Sequence, residues 1–178
     1  MSKTNNFVFT VLKIVSWVIF IGLCIEAGAL IVNFVFSLFK PEIVQKLYQK
    51  LDLSQMYNTN IWMYFGLYGF ILTISILKAY LFYVVVMLLL KIDLLKPFNS
   101  HVADQINKIS YITLGIGIFS LIAREISRSM VHYGLENDKL NQFWEDGSAF
   151  LLMAAVVYVI ATIFSRGVEI QSENDLTV

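Results

Sequence analysis

Apolar residues fall into four long runs along this chain. The first covers residues 7–39 and is broken only by Lys13 and Glu26; the second covers 61–90, with Lys78 as its single charge. The third is free of charge over 109–123, between Lys108 and Arg124, and the fourth over 147–165. A helix crosses the hydrocarbon core of a bilayer with about 20 mostly apolar residues, at 1.5 Å of rise for each. The pattern therefore predicts an all-α integral membrane protein, one membrane domain over 1–178 with four transmembrane helices.

The third run is short for a crossing, but its upstream flank lengthens it. Val102, Ile106 and Ile109 share one helical face. Pro97 stands just before Asn99 and Ser100, either of which suits an N-cap. The expected helix runs over 100–132, amphipathic at first, with its membrane part at about 109–124. The fourth helix is expected over 147–165, with Gly167 stopping or bending it and a tail over 166–178. The first run also resembles a signal peptide, with Ala27-Gly28-Ala29 as a small-residue cleavage pattern. The apolar run continues for ten residues after Ala29, so it is read as an uncleaved anchor.

Composition narrows the class further. Hydrophobic residues make up 58% and charged ones 15%, where a soluble domain has roughly 45–50% and about 25%. Such a chain is neither disordered nor, with Cys24 as its one cysteine, a disulfide scaffold. Thirteen Lys and Arg balance thirteen Asp and Glu. No basic field is left for direct nucleic-acid binding, and the lipid bilayer is the expected partner.

Four crossings place the N-terminus, the linker between the second and third helices, and the C-terminus on one side. Lys and Arg near the helix ends number six on that side and six on the other, so the positive-inside rule is tied. Trp62 and Trp144, at the entrances of the second and fourth helices, are read as an aromatic belt. Both termini are assigned to the cytoplasm, partly on the resemblance given below.

Candidate chemistry is sparse. His101 and His132 lie 31 residues apart on one expected helix, roughly 46 Å, too far to share a haem or a metal. The acids Glu136, Asp138, Glu145 and Asp146 lack the order of a calcium loop and are read as a solvated segment. Thr113, Gly115 and Gly117, with Ala149, Ala154, Ala155 and Ala161, are read as sites of close helix approach. No catalytic, cofactor-binding or metal-binding set is found, and the expectation is a non-enzyme without a cofactor. Glu26 and Lys78 are the charges inside the apolar spans, and such groups are costly unless paired or hydrated. Counted from the linker that joins their helices, their depths differ by four residues, about 6 Å. Three readings stay open: an intramembrane ion pair, a lysine that snorkels to a headgroup, and a polar transport path.

Two motifs carry a resemblance. One is Leu95-Lys96-Pro97-Phe98-Asn99 before the third helix. The other is the ending Gly167-Val168-Glu169-Ile170-Gln171-Ser172-Glu173-Asn174-Asp175-Leu176-Thr177-Val178. Together they resemble the DUF2975 family of bacterial four-helix membrane proteins of unknown function, over roughly residues 94–178. The resemblance implies a place in the bacterial cytoplasmic membrane. It also implies a context, since members are often encoded beside a small helix-turn-helix regulator. It brings no catalytic residues. Pro97, Phe98, Asn99, Gly167, Glu173, Asp175 and Leu176 become candidate partner-contact positions, with the tail docking back onto the Pro97 linker. The function expected is a non-enzymatic sensor or regulatory membrane component. The alternative is a transporter or a pore-forming subunit of a homo-oligomer.

Overall fold

The computed structural model of the chain describes residues 3–39, 53–92, 98–131 and 138–176. Helix α1 spans Lys3–Phe39, the short α2 Ser54–Thr59, α3 Ile61–Lys91, α4 Ser100–Val131 and α5 Gly147–Leu176, with a 3-10 segment over Asp138–Phe143. Four of these helices are long and apolar enough to cross a membrane. Helices suit that setting because each one satisfies its backbone N–H and C=O groups internally, where no water is present to do so. The protein is an all-α, four-span, multi-pass membrane protein.

Two asparagines fix where the helices start. The Asn60 side chain accepts from the backbone N–H groups of Trp62 (3.0 Å) and Met63 (3.2 Å), capping α3. Asn99 accepts from Val102 N–H at 2.9 Å, which decides between Asn99 and Ser100 as the cap of α4. Behind that cap the amphipathic start is as the spacing suggests: Val102 is buried, while Asp104 and Lys108 are exposed.

Helix α3 is central, packed by α1 on one side and α4 on the other. Antiparallel pairing with α1 is set by the Tyr68 hydroxyl donating to Leu30 O at 3.3 Å and by a hydrogen bond between the Ser37 and Tyr64 hydroxyls. Phe34 inserts its ring among Tyr64, Phe65 and Tyr68, with centroids 6.3, 6.0 and 4.9 Å away. Beyond these contacts α1 is peripheral. Only 6% of its most apolar window is buried, against 33% for α3 and 39% for α4.

Small residues let α4 and α5 approach closely. A Cβ added at Gly117 would sit 2.7 Å from Leu151 Cδ2, and one at Gly147 would sit 2.8 Å from Ser120 Cβ. Ser110 donates to Ala154 O at 3.3 Å, and Thr113, Ala154 and Ala161 are buried along the same seam. In a bilayer, where burial against a neighbour gains little over burial in lipid, such close packing is what associates helices. Not every small residue serves it. Ala149 and Ala155 are exposed, and a Cβ added at Gly115 would meet only Leu77 of α3, at 4.0 Å.

The end of the bundle opposite the termini is closed by α2 and the 3-10 segment, which bury Leu53, Met56, Leu140, Phe143 and Trp144 against α3 and α4. This corrects the reading of Trp144 as a belt residue. It is 1% exposed and belongs to the core, its ring 6.4 Å from that of Phe143, whereas Trp62 is 83% exposed. The 3-10 turn before α5 folds Trp144 inward, something its place at a helix entrance does not reveal.

Candidate functional site

Helix α5 does not end where its apolar run ends. It continues through Arg166 and Gly167 to Leu176, about 15 Å past Arg166 at helical rise. The expectation that Gly167 stops or bends the helix is thus corrected. Glycine weakens a helix by about 1 kcal/mol, and its neighbours here make contacts that continue the helix. Arg166 pairs with Glu169 one turn on, at 2.9 Å, and the Ser172 hydroxyl donates to Glu169 O at 2.7 Å.

Gly167 has another use. The ring of Phe98, from the turn that leads into α4, lies directly on it. A Cβ at 167 would fall 2.7 Å from Phe98 Cδ1 and 2.8 Å from Cε1. Phe98 also packs on Phe164, one turn earlier on α5, with ring centroids 5.0 Å apart and planes at 37°. Asn99 beside it caps α4, so the aromatic plug and the helix cap are consecutive residues. The two motif segments therefore lie together, through Phe98 seated on α5 and without a tail that folds back. Phe98 remains 42% exposed, and around the contact Arg166, Glu169, Ile170 and Glu173 present an exposed helical surface.

The other sequence-selected positions divide plainly. Asp175 and Leu176 belong to α5, but their side chains lie outside the described residues, as do Pro97, His132 and Glu136. Glu26 and Lys78 are both half-buried within their spans, and no ion pair joins them. The Lys78 ammonium lies over the ring of Phe150 in α5, 5.5 Å from its centroid. Depth alone suggests the pairing, and direction around the helix turns Lys78 toward another neighbour. At about 100° per residue, Lys78 stands roughly 80° round α3 from Tyr68, which points at α1. Among the described residues no group of three His, Cys, Asp or Glu gathers as metal ligands would.

Sequence reasoning overlooked Gly167 as a seat for an aromatic ring. The available signal was an aromatic residue immediately before an N-cap, a place where a side chain commonly fixes how the chain enters a helix. It also missed the Tyr64–Ser37 and Tyr68–Leu30 contacts, since tyrosines inside an apolar run look like any other large residues.

Residues 51–178 match the model of DUF2975, a family described as proteins of unknown function. No curated protein and no solved structure matches the chain. The family match reaches further back than the two motifs, taking in α2 and α3, and leaves α1 outside it. It covers more than two thirds of the sequence, and the chain belongs to the DUF2975 family.

Proposed function

We propose that this protein is a non-enzymatic sensor or regulatory component of a bacterial cytoplasmic membrane, with both termini in the cytoplasm. It works through the face that Phe98 and the α5 extension build together. The observation that carries this reading is the seat of Phe98 on Gly167 and Phe164. Through it, any displacement of α4 against α5 within the bilayer changes the surface presented beyond Arg166. The α4–α5 seam of small residues, with its few bulky obstacles, suits such a displacement. The partner proposed for that surface is the small helix-turn-helix regulator that the family context supplies.

The test is a titration of the protein, held in lipid nanodiscs, with the regulator encoded beside it. Binding is expected for the full chain. Deletion of residues 168–178 should abolish it, and Phe98→Ala should weaken it at least tenfold. Absence of binding by the full chain, or binding that survives the deletion, contradicts the proposal. A second reading, a transporter or pore-forming oligomer subunit, is favoured by Glu26 and Lys78 inside the spans, and ion flux through reconstituted vesicles tests it.

A further inference from the structure

Glu26 and Lys78 are opposite charges placed deep in the apolar part of the bundle, and among the described residues neither has a hydrogen bond or an ion pair. Their depths are close. The contacts of Leu30 with Tyr68 and of Phe20 with Tyr83 set α1 against α3 so that Glu26 is level with residues 72–77, one to six residues short of Lys78, about 1.5–9 Å along the axis. Lys78 lies 13 residues before the end of α3 at Lys91 and 17 after its start at Ile61, about 20 and 25 Å at helical rise. The hydrocarbon core, about 30 Å thick, is shorter than this helix, so a centred span places Lys78 near its middle. Its contact with the Phe150 ring supplies weak attraction and no counter-charge. Ionisable groups persist at such depth when a partner of opposite sign meets them.

We propose that two copies of this chain associate in the membrane through α1 and α3, with Glu26 of each pairing with Lys78 of the other. A second copy is the occupant that the charges specify. It carries the missing cation and the missing anion at close depths, and a two-fold axis along the membrane normal keeps each depth equal in the two copies. One contact made twice then neutralises all four charges, whereas an unrelated partner would have to bring both signs to the same level. Glu26 and Lys78 are each only half-buried, so neither charge is sealed inside one copy.

The test uses full-length chains with two different tags, co-reconstituted in bilayers and scored by co-purification. Wild-type copies should co-purify. Glu26→Lys alone, and Lys78→Glu alone, should each lose at least nine-tenths of that signal, because every intermolecular contact then joins like charges. When the two single variants are mixed, co-purification of one with the other should return. Each contact between the two different chains again joins a cation to an anion, while within either chain the two positions still carry the same sign. Failure of wild-type copies to co-purify overturns the proposal without any variant having to fold. So does a chain carrying both swaps that behaves as wild type while the mixed single variants stay apart, since that result places the pairing within one chain.

Discussion

The ring of Phe98 rests on the backbone of Gly167, so close that a methyl group at 167 would fall 2.7 Å from Cδ1. Two segments 69 residues apart in sequence meet at that point on the side of the membrane that carries both termini. Gly167→Leu should push the ring off its seat and cost about 1–3 kcal/mol, the usual range for overpacking. In a Phe98→Ala background the same change should cost less by at least about 0.5 kcal/mol, because the space is then free. Thermal unfolding of the two single variants and the double variant in mild detergent checks this. Simple additivity would mean that the residues do not touch.

Two glycines should respond with opposite sign. Gly117→Ala meets Leu151 Cδ2 at 2.7 Å and the Leu151 backbone N at 3.0 Å, and backbone cannot swing away. It should destabilise the α4–α5 pair by about 1–3 kcal/mol. Gly66→Ala meets nothing within 4 Å. It should be neutral or stabilise α3 by up to about 1 kcal/mol through helix propensity. Melting curves of the two variants recorded side by side suffice, and a loss of stability at 66 would show that this face of α3 is covered.

Helix α1 is held chiefly by rings. Phe34 touches three aromatic residues of α3, whereas the Tyr68 hydroxyl adds one long hydrogen bond to Leu30 O. Phe34→Ala should therefore cost about 3 kcal/mol. Tyr68→Phe should cost under about 1 kcal/mol, in line with the small worth of hydrogen bonds between membrane helices. Unfolding by a denaturing detergent, with α1 docking followed by the fluorescence of Trp17, ranks the two. The reverse order would make the hydrogen bond the main tether.

Orientation is open to chemical labelling. In a Cys24→Ala chain, a cysteine replacing Ser2 should be shielded from an impermeant thiol reagent in intact cells. One replacing the exposed Asn141 should react. The inverse pattern would reverse the assignment of the termini and leave the four crossings in place.

The four crossings are legible in the sequence because a bilayer imposes a length, and runs without charge of that length are conspicuous. The start of α4 at Asn99 or Ser100 and its amphipathic entry follow equally from local chemistry. Features that depend on direction around a helix are harder to read. The depths of Glu26 and Lys78 can be counted from their linker, yet the Lys78 ammonium lies over the Phe150 ring of α5, and no spacing announces that neighbour. The α5 extension is hidden by Gly167, which marks a helix end when only its own propensity is considered. Contacts of its neighbours, such as Arg166 with Glu169, continue the helix, and Gly167 itself seats a ring supplied from 69 positions earlier. Trp144 shows the same limit, since a helix entrance is where a belt tryptophan belongs until a 3-10 turn folds it inward.

The meeting of the two motif segments is tested most directly by a cross-link formed in the membrane before extraction. In a Cys24→Ala background, Phe98→Cys combined with Gly167→Cys should oxidise rapidly to a disulfide. Phe98→Cys combined with Glu169→Cys, about 200° round the helix, should not. A cross-link at 98 and 169 that forms as fast as the first, or none at 98 and 167, would contradict the account.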